Sequence, residues 1–143
     1  MMKDKINNLY NKDDNISYNT LLELELITSQ SNELYEYFDE LLNMLNNEKS
    51  FVRVRGFRLI CALARWDTEG KTEQNIDLIL NELDDNTSTS VRQCLSKLNL
   101  ILIYKPELSE KIKQKLKQLD LSKYKESMQS LIKRDIDLIL KNI

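Results

Sequence analysis

Glycine and proline are almost absent from this chain, which contains two glycines and one proline among 143 residues. Tight turns and the ends of β-strands depend on these residues, so three of them cannot serve a multi-stranded sheet. Apolar residues make up 41% of the chain and charged residues 31%, which supplies a folded core and exceeds what a disordered segment contains. The sequence therefore predicts an all-α fold, and its length predicts a single domain over residues 1–143.

Histidine is absent as well. This removes the commonest acid–base group at neutral pH and excludes Ser–His and Cys–His nucleophile systems. Cys61 and Cys94 lie in apolar helical stretches without neighbouring ligands, a pattern typical of free buried thiols in a reducing compartment. The sequence contains no Gly-rich phosphate loop and no metal-ligand constellation. We therefore expect no enzymatic activity, no metal site and no cofactor.

The chain lacks the features of a membrane or nucleic-acid-binding protein. No apolar run approaches the roughly 18 residues of a membrane span, and the first residues lack a charged-then-apolar signal pattern. The formal net charge of −2 does not favour nonspecific binding to nucleic acid or to an anionic membrane. We expect a cytoplasmic protein that does not contact membranes.

Apolar residues recur at helical spacing along nearly the whole chain, interrupted by short polar clusters. The pattern predicts about eight helices, and their short connections require consecutive helices to pack antiparallel. Ser50 is expected to cap the fourth helix, and Ser88 or Thr89 the sixth. The predicted helices cover about residues 3–11, 17–29, 32–47, 51–66, 73–84, 89–104, 106–119 and 123–141.

The predicted helices form pairs that repeat at intervals of 36 to 39 residues. Leu41 and Leu45 in the third helix correspond to Ile79 and Leu83 in the fifth. Near the start of the fourth and sixth helices, Ser-Phe-Val-Arg corresponds to Thr-Ser-Val-Arg. A helix pair of this length with a Val-Arg step opening its second helix resembles the HEAT-repeat family of armadillo-type proteins.

The resemblance implies a right-handed α-α superhelix, that is, a HEAT-like solenoid. It comprises three repeat units, over 31–67, 71–104 and 106–141, after an N-terminal capping pair of helices in 1–30. The third unit departs from the family pattern because it lacks the Val-Arg step. A generic up-down helical bundle is the alternative architecture.

The fourth predicted helix is apolar on two opposite faces, which indicates a helix that is packed on both sides. One narrow polar stripe remains between these faces, and the repeat offset continues it onto the sixth helix, where Cys94 is expected to face the same side. Inner helices of a solenoid line its concave side, so the stripe predicts a partner-binding groove. The groove residues are Arg55, Arg58 and Arg65 on the fourth helix and Lys97 and Tyr104 on the sixth.

Two further arginines belong to the Val-Arg steps. Arg53 and Arg92 occupy the position at which HEAT arginines usually brace the neighbouring turn. The resemblance therefore implies a structural role for both residues.

Arginine forks suit carboxylates, and arginine with tyrosine is typical of interface anchors. The sequence thus predicts a non-catalytic scaffold or interaction module, a monomer or weak homodimer, that binds an acidic peptide or protein surface. In one alternative, the arginines instead pair with the protein's own acids, for example Asp67 or the Asp84–Asp85 turn. In the other, the chain is a nucleic-acid binder or a HEAT-like DNA-base glycosylase that uses these arginines with Trp66.

Overall fold

Every regular element of the computed structural model, which describes residues 1–143, is helical. The prediction of an all-α fold is therefore confirmed. None of the helices combines the length and apolar character that a membrane crossing requires. The nine α-helices are α1 (Met2–Asn8), α2 (Asp14–Gln30), α3 (Phe38–Met44), α4 (Ser50–Leu63), α5 (Lys71–Gln74), α6 (Ile76–Leu80), α7 (Ser88–Tyr104), α8 (Ser109–Gln118) and α9 (Glu126–Lys141).

Single turns of 3₁₀-helix adjoin several of these helices, at Tyr35–Tyr37, Ala64–Trp66, Asn81–Asp84 and Pro106–Leu108. The fifth predicted helix is divided into α5 and α6 because Asn75 leaves helical geometry, with φ −116° and ψ 17°. Its side-chain amide donates to the Lys71 carbonyl at 2.8 Å and so closes the first of the two helices. The structure therefore contains nine α-helices where the pattern predicted about eight.

Four helices, α2, α4, α7 and α9, pack side by side in chain order, and we call them the central row. At their N-terminal ends, Ser50 Oγ of α4 lies 2.7 Å from Ser90 Oγ of α7. Beyond the C-terminal end of α4, the Trp66 indole N–H donates to the Thr28 carbonyl near the end of α2, at 2.6 Å. Neighbouring helices of the row thus meet start to start and end to end, so α2, α4 and α7 run parallel.

The other helices flank the central row. α1 packs against α2 and α3 against α4, while the 3₁₀ turns Asn81–Asp84 and Pro106–Leu108 pack against α7. A single cluster of 32 buried apolar residues runs through the fold. Each helix of the row therefore buries apolar side chains against a preceding or following element, as two-sided apolar patterning requires.

An Asx turn precedes three helices of the central row at the same place. The side-chain oxygens of Asn11, Asn47 and Asp85 each accept a backbone N–H from the residue two positions later, at 2.8 to 2.9 Å. The helices α2, α4 and α7 each begin three residues after the Asx residue. The expected caps are wrong: Ser50 and Ser88 are the first helical residues, and no side chain caps α4 or α7.

Gly56 allows α3 and α4 to approach closely. A Cβ atom at this position would lie 2.8 Å from Met44 Cβ and 3.0 Å from the Leu41 carbonyl oxygen. Real Cβ atoms essentially never come this close to another heavy atom. One of the two glycines is therefore required by the packing of this helix pair.

Candidate functional site

The predicted arginine stripe does not face water along its whole length. Arg55 and Arg58 are each only 6% exposed, whereas Arg65 is exposed. The expectation of a solvent-facing row is therefore wrong for its first two members. The reason is that α2 lies against α4 and brings acidic side chains over these guanidinium groups.

Arg58 is fully engaged by its surroundings. Its Nε and Nη2 donate to the Glu25 carboxylate at 3.0 and 2.8 Å, and Nη1 donates to Gln93 Oε1 at 3.1 Å. The Arg58 guanidinium carbon lies 5.7 Å from the centre of the Tyr18 ring. Lys97 Nζ lies 3.8 Å from Glu25 Oε2. Burial acts to lower the pKa of Arg58, but the hydrogen bonds and charge of Glu25, together with Tyr18, outweigh it and raise that pKa.

The positive charge of Arg55 is compensated less completely than that of Arg58. Its Nη1 donates to the Leu9 carbonyl at 2.9 Å, and its Nη2 lies 3.3 Å from Asp14 Oδ1. The side chain of Asp14 is 89% exposed, so most of its charge is screened by water. Burial therefore dominates and lowers the pKa of Arg55, with Asp14 offsetting only part of the effect. The Arg55 guanidinium carbon also lies 4.7 Å from the centre of the Phe51 ring.

These two arginines pair with the protein's own acids, although not with the ones that the sequence suggested. Asp67 instead caps α5 by accepting the N–H groups of Lys71 and Thr72 at 3.0 and 2.7 Å. Its carboxylate also accepts the Tyr35 hydroxyl at 2.5 Å. Burial opposes ionisation of Asp67, but these hydrogen bonds prevail and lower its pKa to about 2.

Arg65 and Tyr104 form an exposed cation–π pair at the opposite end of α4. The Arg65 guanidinium lies 5.5 Å from the centre of the Tyr104 ring and 5.2 Å from that of Trp66. Tyr104 is 42% exposed. Arg65 forms no ion pair, in contrast to the other arginines of this region, Arg53, Arg55, Arg58 and Arg92.

Trp66 is half-buried and packs against the core. Its indole N–H is occupied by the Thr28 carbonyl, so this side chain joins the ends of α2 and α4. A tryptophan held in this way has a structural task of its own, which accounts for its position beside Arg65.

Cys94 does not face the predicted groove. It is fully buried, as is Cys61, and burial raises the pKa of both thiols. The expectation of an accessible Cys94 is wrong because α7 is rotated so that this residue packs in the core. Gln93 and Lys97 border the open side instead, through their contacts with Arg58 and Glu25.

Arg53 connects three parts of the chain. Its Nη1 donates to the Asn47 carbonyl in the preceding turn at 2.8 Å. Its Nη2 lies 2.6 Å from Asp85 and its Nε 3.1 Å from Glu82, both in the segment between α6 and α7. Arg92, by contrast, forms one fork to Asp135 of α9, with its Nε at 2.7 Å.

Sequence analysis did not connect Arg53 with its two carboxylates, and it named the Asp84–Asp85 turn only as an alternative partner of the other arginines. Glu82 and Asp85 are 5% and 8% exposed and share this one guanidinium. Burial and the neighbouring Asp85 raise the pKa of Glu82 to about 8. Burial acts against ionisation of Asp85 too, but hydrogen bonds from Glu82, the Thr87 N–H and Arg53 lower its pKa to about 2. The Asp-Asn-Thr turn before α7 was the available signal, because its first residue is placed to accept an N–H.

Exposed apolar side chains on α2 were also missed. Tyr18, Leu22 and Leu26 are 44%, 42% and 61% exposed, whereas Leu21 on the same helix is buried. Residues four apart share one side of a helix, so they form a row beside Arg58. We call the surface of α2, α4 and α7 on this side the inner face. Its exposed or half-buried side chains include Tyr18, Leu22, Glu25, Leu26, Arg65, Lys97 and Tyr104.

At the N-terminal ends of the same helices, a groove of about 580 Å³ opens between α2, α4 and α7. Nine of its 13 lining residues are polar or charged, and Arg55 and Asp14 both belong to it. The lining residues with hydroxyl or amide groups are Tyr18, Ser50, Thr87, Thr89, Ser90, Asn15, Asn19 and Gln93.

No protein-family model matches the chain, and neither a curated protein nor a solved structure matches it. No group of three or more cysteine, aspartate or glutamate side chains is arranged to hold a metal ion. We therefore infer function from the geometry of the inner face.

Proposed function

We propose that this protein is a non-catalytic helical-repeat module that binds an acidic segment of a partner protein across its inner face. The observation that carries the proposal is Arg65, an exposed guanidinium that rests on the Tyr104 ring and has no carboxylate partner. Arginine held on an aromatic ring is preorganised, so less conformational entropy is lost when it binds a carboxylate.

The architecture that we propose is a HEAT-like right-handed superhelix with the central row on its inner side. The parallel packing of α2, α4 and α7 supports it, because successive helix pairs of a solenoid stack in this way. The Asx turns support it too, since Asn11, Asn47 and Asp85 are separated by 36 and 38 residues. These intervals agree with the spacing of the sequence repeat.

The charges of the inner face and its adjoining groove favour an anionic partner. Two carboxylates, Asp14 and Glu25, face a larger number of cations there. The cations are Arg55, Arg58, Arg65 and Lys97. Burying Arg65 and Lys97 at an interface costs the least free energy when the partner places carboxylates beside them, because carboxylates form charge-assisted hydrogen bonds with both.

The exposed row on α2 favours a partner that also carries apolar side chains. Tyr18, Leu22 and Leu26 span eight residues, or about 12 Å along the helix axis. Exposed aromatic and leucine side chains of this kind gain free energy when another apolar surface removes them from water. We therefore expect the acidic segment to contain leucine or aromatic residues among its acids.

Selection from a random library of 12-residue peptides tests this proposal. Peptides that the protein enriches should combine aspartate or glutamate with leucine or aromatic residues. Arg65→Gln and Tyr104→Ser should each weaken the best peptide by about tenfold or more, as loss of an interface anchor does. Arg134→Gln, which removes an exposed arginine from α9, is the matched control and should leave binding unchanged.

Two results would contradict the proposal. One is enrichment of peptides without an excess of acids, or equal binding by the wild type and Arg65→Gln. The other is tighter binding of a DNA oligonucleotide than of any selected peptide, with a steep loss of affinity as salt increases. That outcome would favour the nucleic-acid alternative.

A further inference from the structure

The two buried arginines of α4 differ in how completely hydrogen bonds and ion pairs within the protein compensate their positive charges. Arg58 donates from all three of its side-chain nitrogens, to Glu25 and Gln93. Arg55 donates from two, and its Nε reaches no protein acceptor. The carboxylate beside Arg58 is 16% exposed, whereas the one beside Arg55 is 89% exposed. Arg55 is therefore a buried cation whose only anionic partner is held loosely at the surface.

The surroundings of Arg55 suit a carboxylate. Arg55 lines the groove between α2, α4 and α7, and Thr87 and Thr89 line it too. The first turn of α7 also lies at this groove and contains no acidic residue. The lining of this groove thus combines residues with guanidinium and hydroxyl donors, and Asp14 is the only acidic residue among them.

The pKa values of the two arginines reflect the same difference in their surroundings. The pKa of Arg55 is lowered by burial, and Asp14 offsets only part of that effect. Burial also acts to lower the pKa of Arg58, but Glu25 and Tyr18 together outweigh it and raise that pKa. A second carboxylate at Arg55 would complete the compensation that Asp14 leaves unfinished.

We propose that Arg55 is an anchor for a carboxylate of the acidic partner, and that Asp14 is a built-in competitor which occupies this anchor until the partner displaces it. The inference rests on the proposed function and assigns a second contact to the same partner. Displacement is inexpensive because Asp14 contacts Arg55 at 3.3 Å and already has most of its surface in water.

The position of Arg55 also sets the length of the bound segment. Arg55 and Arg65 lie ten residues apart on one helix and its 3₁₀ extension, or about 15 Å along the axis. An extended peptide advances about 3.3 Å per residue, so carboxylates four or five residues apart would reach both arginines. One acid binds at each end of α4, and the apolar row of α2 lies beside the segment between them.

The test compares Asp14→Asn with a matched control, Asp39→Asn. Asp39 lies in the first turn of α3, is 78% exposed and makes a single contact with Lys71 at 3.4 Å. Both variants therefore lose one exposed, loosely paired carboxylate from the first turn of a helix. The probe is an acetylated and amidated hexaglutamate peptide, titrated while the Nε–Hε resonance of Arg55 is followed by NMR.

We expect Asp14→Asn to bind hexaglutamate about two- to fivefold more tightly than wild type, the worth of one exposed ion pair. The Arg55 resonance should shift during the titration, and Asp39→Asn should bind like wild type. Equal affinities for the two variants would overturn the inference, and so would an Arg55 resonance that does not move.

These outcomes separate this inference from the proposed function. If Asp14→Asn gains affinity while Arg65→Gln loses none, the anchor at Arg55 stands and the role of Arg65 fails. If Arg65→Gln abolishes peptide binding while Asp14→Asn behaves like its control, the proposed function stands and the competitor at Asp14 is rejected.

Discussion

At the scale of single residues, Glu82 and Asp85 determine how the fold responds to pH. Both carboxylates are buried, and Arg53 is the one cation that reaches them. Two anions facing one cation cannot both ionise without cost, so one of them retains its proton at neutral pH. The raised pKa of Glu82, about 8, identifies it as that residue.

This raised pKa predicts that stability falls as pH rises through the neutral range. Between about pH 5 and pH 8 the folded state keeps the Glu82 proton that the unfolded state has lost, so rising pH favours unfolding. Glu82→Gln should flatten the decline and stabilise the protein at pH 8.5 by at least about 1 kcal/mol, since one pKa unit is worth about 1.4 kcal/mol. Urea denaturation at pH 5 and pH 8.5 measures the effect.

The control for this prediction is Glu110→Gln, which changes an exposed glutamate in the first turn of α8. It should leave the pH dependence as it is in the wild type. A decline of equal slope in wild type and Glu82→Gln would show that another group is responsible.

The sequence could locate the charged residues of the candidate site but not their partners. Helical periodicity assigned Arg55, Arg58 and Arg65 to one helix, and the structure places the first two on α4 and Arg65 in the 3₁₀ turn that extends it. Whether a guanidinium on that stripe faces water depends on what lies over it. Asp14 and Glu25, which cover the first two arginines, are 41 and 33 residues away along the chain. Helical periodicity carries no information about such contacts.

At the scale of elements, the contact between α3 and α4 depends on the missing side chain of Gly56. The Leu41 carbonyl oxygen belongs to the backbone of α3, and Met44 Cβ is attached directly to that backbone. Neither can move without shifting the α3 helix itself. This contact is therefore less tolerant of added volume than one formed by flexible side-chain ends.

Gly56→Ala should consequently destabilise the protein although alanine is the better helix former. Overpacking costs about 1 to 3 kcal/mol, against a gain of about 1 kcal/mol from helix propensity. We expect a net loss, measured as a lower urea midpoint. Ser96→Ala, on the exposed side of α7, serves as a control and should change stability by less than about 0.5 kcal/mol. Greater stability of Gly56→Ala would mean that α3 and α4 are not packed this closely.

The existence of most helices could be predicted from the sequence, whereas several boundaries could not. Long apolar periodicity identified α2, α4, α7 and α9 because it reflects burial on one or two sides. The start of α2 was expected at residue 17 but lies at Asp14, since Asp13 caps it by accepting the Asn15 N–H at 2.9 Å. The division at Asn75 depends on a single side-chain hydrogen bond, which periodicity does not report.

At the scale of the whole molecule, the helices of the central row differ in how many neighbours protect them. α4 lies between α2 and α7, and α7 lies between α4 and α9. α1, in contrast, packs mainly against α2, and α9 packs mainly against α7. Opening the fold from either end therefore leaves α4 and α7 intact for longest.

Native-state hydrogen exchange should reveal this order. Amides of α4 and α7 should exchange at least about tenfold more slowly than those of α1 and α9, a difference of roughly 1.4 kcal/mol in opening free energy. Exchange followed by mass spectrometry of peptides from each helix measures it. Uniform protection of all four helices would instead indicate that the molecule opens in a single step.

The Asx turns before α2, α4 and α7 are local features that depend only on residues next to each helix. Asn11, Asn47 and Asp85 each accept an N–H from the residue just before a helix, so the turn that precedes each of these helices is formed by the adjoining residues of the chain. A duplicated unit would carry its own start with it and would leave its neighbours' turns unchanged. Such a unit would also need an arginine equivalent to Arg53, which joins α4 to the turn before α7 through its ion pairs with Glu82 and Asp85. In the HEAT-like architecture that we propose, duplication of a helix pair would lengthen the chain, and each added pair would extend the inner face by one helix.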